Sequence, residues 1–375
     1  MKIIFVGGGT GGHFYPLIAV AQEVNKIAGQ KHILDAELYY LADSPYDRQA
    51  LHENGITFEE ISAGKMRIYF SIMNIVDIFK TFFGFWGVLF KVYRIFPDVI
   101  FSKGGYQSFP VLLAARILGI PVVIHESDSV PGRANLWAAK FAKKIAISYE
   151  EAGQYFPKSK TAWTGQPVRK ELQKTVKEGV FEYLKLNHAL PVILILGGSQ
   201  GAELINNIII ESLPELISKY QILHQTGKKN LEEVNIRSAV VLRNNTNKDR
   251  YRTFPFFNVL AFKMAAGASS LIISRAGSGI FEFAAWGVPS ILIPITNSQG
   301  DHQRKNAFNY ARAGACLVIE ENNLTTHLLV AEVNKLMSSP QKREEMSKNS
   351  LKFFNPDAAS KIAQELVSIA LSHEK

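Results

Sequence analysis

Cysteine is nearly absent from the sequence, and this indicates the kind of cellular compartment in which the protein is expected to work. Cys316 is the only cysteine in 375 residues, so no disulfide can form within the chain, and we expect a reducing compartment. The apolar start KIIFV is too short for the core of a signal peptide, so we expect the mature chain to begin at Met1. The sequence also has no Asp-x-Asp pair that could hold a metal ion. We therefore predict neither a metal nor a cofactor.

Long uncharged apolar runs are also missing, even from the most hydrophobic stretch, residues 68–96. Asp77, Lys80 and Lys91 interrupt it, and its longest uncharged part is the ten-residue TFFGFWGVLF. A helix that spans a bilayer needs about 20 nearly uncharged residues, so we do not expect this one to span. Its apolar side chains cover more of a helix than one buried stripe requires. We predict a patch that rests on a membrane through Phe82, Phe85, Trp86 and Leu89.

The chain is basic, with a formal net charge of +9. Residues 61–145 contribute eleven lysines and arginines against four acidic residues, which indicates an anionic partner. The apolar runs between these charges differ from the polar surface that binds nucleic acid. An anionic membrane surface is therefore the expected partner, and nucleic acid is not.

Short apolar runs alternate with helical patterns along the whole chain. The runs IIFV, ELYYL, DVIFS and PVVIHE each precede a helical pattern, and the rhythm restarts at PVILIL after a break at Gly165 and Pro167. This alternation predicts α/β domains built on parallel sheets. The length favours two domains. We predict domains at 1–162 and 163–345, and a helical tail at 346–375 that packs back on the first domain.

The first predicted strand ends in GGGTGGH, residues 7–13. Glycines let the backbone turn tightly and present amide N–H groups at a helix N-terminus, where anions bind. The spacing matches the dinucleotide fingerprint only loosely, and no acidic residue is well placed for a nicotinamide ribose. A tight turn without a ligand is the alternative. His13 either caps or packs at the helix start, or it faces the edge of the sheet as a polar group.

Two glycine-rich turns in the second half repeat this pattern. GGSQGAELIN places Ser199 where its hydroxyl could donate to a phosphate. SRAGSGIFEFAAWG places Glu282 in the first turn of a helix, where it could hold ribose hydroxyls or simply complement the helix dipole. The loop GDHQRKNA supplies donors and acceptors that suit either sugar hydroxyls or an exposed helix start: Asp301, His302, Gln303 and Asn306.

Over nearly its whole length the chain resembles the MurG family of N-acetylglucosaminyltransferases. The motifs that carry the resemblance occur in the family's order: GGGTGGHFYP, FSKGGYQSFP, HESDSVPGRAN, TGQPVR, GGSQGA, HQTGK, SRAG and DHQRKNA. The resemblance implies a GT-B fold, two Rossmann-like parallel-sheet domains that face a central cleft. It implies UDP-GlcNAc bound mainly by the C-terminal domain and lipid I mainly by the N-terminal one. It also implies a peripheral protein on the cytoplasmic face of the bacterial plasma membrane.

The resemblance also implies roles for single residues. The substrate-binding positions are Thr10, Gly11, Gly12, Tyr106, Asp128, Arg169, Ser199, Asn206, Phe262, Ser278, Gly279, Glu282 and Gln303. Arg169 and Ser199 would approach the diphosphate of the donor, and Glu282 would hold its ribose. Gln303 would read the GlcNAc hydroxyls, and backbone near Phe262 would recognise uracil.

The expected reaction is an inverting, metal-independent transfer of GlcNAc to the 4-hydroxyl of the muramoyl sugar of lipid I. His13 is the expected catalytic base, with Glu126 and Asp128 as alternatives. Asp128 stands where many family members have asparagine, so a group that only accepts hydrogen bonds replaces an amide. Two other functions fit the residues: another GT-B lipid glycosyltransferase, such as a diacylglycerol glycosyltransferase, or a nucleotide-sugar-binding or membrane-docking protein that is not an enzyme.

Overall fold

The structure is a computed structural model of the chain. It describes residues 1–61, 73–197, 202–296 and 298–372, with backbone alone for residues 73–83 and Gln299. The chain forms two compact units. The first unit consists of Met1–Arg169 with Asn355–Lys375, and the second consists of Lys170–Phe354.

The described part of the first unit contains a parallel sheet of seven strands. Its spatial order is β3-β2-β1-β4-β5-β6-β7, so the chain reverses direction across the sheet between β1 and β4. The strands are β1 (Lys2–Val6), β2 (Glu37–Ala42), β3 (Ile56–Glu60), β4 (Val99–Ser102), β5 (Val122–Glu126), β6 (Lys144–Ile147) and β7 (Thr161–Trp163).

Helices cover both faces of this sheet because its strands are apolar on both sides. Ile3 and Phe5 of β1 pack in one core, and Ile4 and Val6 pack in the other. The helices of the first unit are α1 (Gly11–Gln30), α2 (Arg48–Glu53), α3 (Met73–Ile95), α4 (Ser108–Leu118), α5 (Arg133–Ala138) and α14 (Ala358–Leu371). The first core contains α1, α2 and α14, and the second contains α3, α4 and α5.

The second unit repeats the same architecture in its described residues. Its parallel sheet has the order β10-β9-β8-β11-β12-β13. The strands are β8 (Val192–Leu196), β9 (Gln221–Gln225), β10 (Tyr251–Phe254), β11 (Ser269–Ser274), β12 (Ser290–Leu292) and β13 (Cys316–Val318). The helices are α6 (Val180–Tyr183), α7 (Glu203–Lys219), α8 (Leu231–Val241), α9 (Val259–Ala268), α10 (Ile280–Trp286), α11 (His302–Arg312), α12 (Thr326–Met337) and α13 (Pro340–Phe353).

The last helix, α14, packs against α1 in the first unit. The Asn355 amide donates to the Thr164 carbonyl at 2.7 Å and so holds the returning chain at the end of the first unit. Helix α13 stays with the second unit, because Ser350 bonds to Tyr310 and Phe353 stacks near Phe281. The returning segment of the first unit therefore begins after α13, at Asn355.

Helix α3 is the apolar segment that the sequence assigns to a membrane patch. Phe85 and Leu89 are half-buried and pack against the core of the first unit, whereas Trp86 is 56% exposed. The expectation that Phe85 and Leu89 face a membrane is therefore wrong in part. Helical periodicity places them on the same face of α3 as the buried Val88 and Val92, so this face packs on the core. The side chain of Phe82 lies outside the described residues. None of the described helices has both the length and the apolar character to cross a bilayer.

Candidate active site

In a parallel α/β sheet, ligands bind beyond the carboxyl ends of the strands, at the point where the strand order reverses. In the first unit that point lies between β1 and β4. The glycine motif follows β1, and KGGY follows β4. HESD overlaps the end of β5. The topology therefore gathers three of the sequence motifs at one edge of the first sheet.

The glycine loop after β1 is shaped by close contacts that only glycine allows. Gly9 has φ +96°, in the region that favours glycine. At Gly8, a Cβ atom would lie 1.7 Å from Oε1 of Gln107. The loop therefore packs its backbone directly against the side chain of Gln107, from the start of α4.

His13 lies in the first turn of α1, half-buried. Its backbone N–H donates to the Thr10 carbonyl at 3.1 Å, and its Nδ1 lies 3.3 Å from the Gly8 carbonyl. A hydrogen bond to a carbonyl oxygen requires the hydrogen on Nδ1, so the basic lone pair resides on Nε2. A Cβ atom at Gly105 would lie 3.7 Å from His13 Nδ1, which places this histidine beside the loop after β4.

Glu126 organises the loop after β5. Its carboxylate accepts hydrogen bonds from the backbone N–H groups of Asp128 and Gly132, both at 3.0 Å, and from Asn135 Nδ2 at 2.8 Å. Burial and the charge of Asp128 raise the pKa of Glu126, and these three hydrogen bonds oppose that rise. Both oxygens of the Glu126 carboxylate already accept hydrogen bonds from this loop, so the geometry favours a structural role. Its role as the catalytic base stays a prediction. Asp128 is only half-buried.

Two residues of this edge carry no assignment from sequence reasoning. Asn135 also donates to the His125 carbonyl at 3.2 Å, and it lies against Gly104, where a Cβ atom would be 2.8 Å from its Oδ1. Lys103, directly after β4, is fully buried. Both lie inside quoted motifs, HESDSVPGRAN and FSKGGYQSFP, but nothing in the pattern marks an asparagine or a lysine as buried.

Tyr106 stands at the same edge and is 36% exposed. Its hydroxyl donates to Asp43 Oδ2 at 3.0 Å, and the amide of Gln107 donates to Asp43 Oδ1 at 2.6 Å. Asp43, directly after β2, therefore orients both side chains. The predicted contact of Tyr106 with substrate stays a prediction.

Arg169 is held on an aromatic ring within the first unit. Its guanidinium carbon lies 3.8 Å from the centroid of the Tyr15 ring, a cation–π contact. Tyr15 in turn donates to Asp47 Oδ2 at 3.3 Å. This stacking defines the orientation of the guanidinium that the sequence assigns to a diphosphate.

The carboxyl edge of the second sheet carries the other predicted residues. Gly277, Ser278 and Gly279 form the turn into α10, and their carbonyls accept the first three N–H groups of the helix. Glu282 occupies its first turn, half-buried. Arg275, directly after β11, is paired with Glu321 at 2.6 Å. Burial alone would raise the pKa of Glu321, but hydrogen bonds from Thr296 and the charge of Arg275 lower it.

Gln303 begins α11 and faces the end of β12. Its Oε1 accepts from the Ile295 backbone N–H at 3.3 Å, and its own N–H donates to Ser298 Oγ at 3.3 Å. With its carbonyl end held in this way, the side chain can offer the N–H donors of its amide to a ligand. The residue is half-buried, which is compatible with the predicted reading of sugar hydroxyls.

Three predicted substrate contacts in the second unit have different outcomes. Asn206 is 2% exposed, donates to the Thr226 carbonyl at 3.2 Å and lies 3.0 Å from His224 Nε2, so its amide is engaged internally. Phe262 lies inside α9, where its N–H donates to the Asn258 carbonyl. The helix therefore uses this N–H, and recognition of uracil by other backbone near Phe262 stays a prediction. Ser199 lies outside the described residues.

Metal-binding side chains show no grouping in the part of the chain that the structure describes. There, no three His, Cys, Asp or Glu residues lie together as a metal ion would need.

Comparison with known protein families identifies the family to which the chain belongs. Residues 3–147 match the glycosyltransferase family 28 N-terminal domain, and residues 192–362 match the glycosyltransferase family 28 C-terminal domain. The chain belongs to glycosyltransferase family 28. The predicted fold class is thereby confirmed: two α/β domains with parallel sheets, in a GT-B-like fold.

Relatives of this family 28 chain cover it almost completely. One from Bacillus cereus, 38% identical over 94% of this chain and 95% of its own, is named UDP-N-acetylglucosamine–N-acetylmuramyl-(pentapeptide) pyrophosphoryl-undecaprenol N-acetylglucosamine transferase 2. A transferase of the same name from Clostridium novyi is 34% identical over 100% of this chain and 99% of its own. The crystal structure of Acinetobacter baumannii MurG aligns with a TM-score of 0.73 and 26% identity, and covers 98% of this chain and 99% of that one. The resemblance to the MurG family is therefore confirmed.

The packing at Gly8 gives a stability prediction for this family 28 chain. Gly8→Ala should destabilise the first unit by about 1–3 kcal/mol, because its Cβ overlaps Gln107 and forces that side chain to move. Gly29→Ala is the matched control, since nothing lies within 4 Å of its Cβ position in α1. It should be neutral or stabilising. Urea unfolding of both variants measures the difference, and equal stabilities would contradict the proposed contact.

Proposed function

We propose that this family 28 member transfers GlcNAc from UDP-GlcNAc to the muramoyl 4-hydroxyl of lipid I, forming lipid II for peptidoglycan synthesis. The observation that carries the proposal is the near-complete match to transferases whose names state this donor sugar and this lipid-linked acceptor. The two sheet edges supply chemistry that suits it. The enzyme is thus a hexosyltransferase that acts on a membrane lipid.

The second unit holds the donor in this proposal. The N–H groups at the start of α10 are already bonded within the turn, but the positive end of the helix dipole favours the negative charge of the diphosphate there. Glu282, in that first turn, accepts hydrogen bonds from the ribose hydroxyls. Gln303 donates from its amide to hydroxyls of GlcNAc. The leaving UDP gains negative charge in the transition state, so donors fixed beforehand stabilise it there.

The first unit binds the acceptor and supplies the base. The muramoyl 4-oxygen attacks the anomeric carbon of GlcNAc while the bond from that carbon to the UDP oxygen breaks, and the bonding electrons leave with UDP. The attacking hydroxyl gives its proton to Nε2 of His13, whose tautomer is fixed by the Gly8 carbonyl. A single displacement of this kind inverts the anomeric configuration. Glu126 and Asp128, in the loop after β5, are the alternative bases.

A direct assay tests the function. Purified protein with UDP-GlcNAc and a short-chain lipid I analogue should release UDP and add one GlcNAc to the acceptor, as measured by mass spectrometry. Release of free GlcNAc without an acceptor product would indicate a hydrolase. Absence of any turnover, with UDP-GlcNAc still bound, would support a binding protein instead.

His13→Ala tests the assignment of the base. It should lower kcat by about 10²–10⁴-fold, the usual contribution of a general base, and leave the Kd of UDP-GlcNAc unchanged. His52→Ala is the matched control, because His52 is an exposed histidine on α2 in the same unit. Rapid-quench turnover and calorimetric titration give the two quantities. Wild-type kcat in His13→Ala would remove this residue from the mechanism.

We also propose that the protein docks peripherally on the cytoplasmic face of the plasma membrane through an aromatic stripe on α3. The stripe consists of Trp86, Phe90 and Tyr93, which are 56%, 65% and 61% exposed. Their spacing of four and three residues places them on one face of the helix. Arg94 beside them is exposed and adds attraction to anionic lipid.

The double variant Trp86→Ser with Phe90→Ser tests this docking. It should lose sedimentation with anionic liposomes and keep its Tm, because exposed side chains contribute little to folding. The matched control is Ile236→Ser with Val240→Ser, an apolar pair on α8 that is 60% and 71% exposed. The control pair should sediment like the wild type. Sedimentation that survives in the α3 variant would place membrane contact elsewhere.

A further inference from the structure

Lys103 is a fully buried lysine at the carboxyl edge of the first sheet. It directly follows β4, at the point where the strand order reverses, and it is 2% exposed. A lysine is almost never buried to this degree unless it is paired. The proposed mechanism gives it no role, so its environment needs a separate explanation.

Three acceptors surround the Lys103 ammonium. Its Nζ donates to His125 Nδ1, to Ser127 Oγ at 2.5 Å and to Gln166 Oε1 at 3.4 Å. An ammonium has three N–H donors and no acceptor, so these three acceptors can pair with all of its donors. The acceptors come from β5, from the loop after β5 and from the loop after β7.

The acceptors are themselves held in place. His125 Nε2 lies 3.1 Å from the Gly165 carbonyl, and Ser148 donates to Gln166 Oε1 at 2.8 Å. Because His125 accepts at Nδ1, its hydrogen must lie on Nε2, which suits the bond to the carbonyl. The lysine is therefore the centre of a buried polar network that joins the ends of β4, β5, β6 and β7.

Two carboxylates near this network favour the charged lysine. Burial lowers the pKa of Lys103, and the charges of Glu126 and Asp128 offset this lowering only in part. Glu126 binds the N–H groups of Asp128 and Gly132 in the same loop. Lys103 thus bonds to the start of the loop after β5, at Ser127, and Glu126 bonds to backbone N–H groups farther along the same loop.

The stem of Lys103 also contacts the loop that carries the proposed base. A Cβ atom at Gly7 would lie 2.7 Å from Lys103 Cβ, so the two backbones approach closely. Movement of Lys103 would therefore displace the glycine loop before His13 as well as the loop of Asp128.

We propose that Lys103 is a positioning residue for the acceptor half of the transfer, because its buried ammonium fixes the loop that carries Asp128 and its backbone and Cβ pack against the glycine loop that precedes His13. This inference rests on the proposed function. Because Lys103 is fully buried, it is not placed to touch substrate, and apart from Arg169 the residues proposed to hold the donor lie in the second unit. Its loss should therefore change the acceptor parameters and spare donor binding.

Lys103→Met removes the ammonium and keeps a similar stem. We expect kcat/KM for the lipid I analogue to fall on the order of 10–100-fold, mainly through a higher KM, because small misplacements of reacting groups carry penalties of this size. The Kd of UDP-GlcNAc should stay within about twofold of wild type, within the usual scatter between variants. Lys31→Met, at an exposed lysine of the same unit, is the matched control and should match wild type throughout.

The pattern of kinetic constants separates positioning from a merely structural role. A partly unfolded preparation lowers kcat and leaves both KM values unchanged, and that result would overturn the proposal. If Lys103→Met does not fold, Ser127→Ala removes only the acceptor on the loop. It should raise the acceptor KM several-fold at an unchanged Tm, and a wild-type acceptor KM would likewise overturn the proposal. An inactive wild type would instead refute the proposed transferase function.

Discussion

A carboxylate and an ammonium, both buried, hold together the carboxyl edge of the first sheet. Parallel strands end without a hairpin partner, so the loops beyond them need other groups to satisfy their backbone. Glu126 accepts two backbone N–H groups of the loop after β5, and Lys103 reaches the side chains of three neighbouring segments. A half-satisfied network of this kind would be costly in a low-dielectric interior. The loop that carries Asp128 therefore depends on these two charges.

The edge of the second sheet uses a simpler device. Arg275 pairs with Glu321, and Glu321 also accepts both the N–H and the hydroxyl of Thr296. This pair is less deeply buried than Lys103, and it joins the segments after β11, β12 and β13. We infer that the acceptor edge needs the tighter network because a catalytic base must be positioned to a fraction of an ångström.

Much of the fold follows from the sequence for a clear physical reason. Buried parallel strands require continuous apolar runs, so the runs IIFV, DVIFS and PVILIL show in the sequence where strands lie. Glycine motifs mark the turns, because a side chain at Gly8 has no room. The packing of Phe85 and Leu89 against the core could not be predicted, since apolar residues around most of α3 give little contrast between its faces.

The polar residues of the site are harder to derive from the sequence. Glu126 stands out in a sequence as a carboxylate near a sheet edge, but only its three N–H donors show that it organises a loop. Lys103 was not assigned, because lysine is an exposed residue by default. Asn206 was assigned to substrate, but its contacts lie inside the second unit. Such roles depend on neighbours that are distant in the chain.

The central claim, transfer of GlcNAc to a lipid-linked muramoyl sugar, is tested most directly by competition between acceptors. One vesicle preparation would contain equal amounts of lipid I and diacylglycerol, and the wild-type protein would receive UDP-GlcNAc as the sole donor. The account predicts that the GlcNAc label appears in the disaccharide lipid, with a β linkage as inversion requires. Label in glycosylated diacylglycerol, with lipid I unchanged, would contradict it.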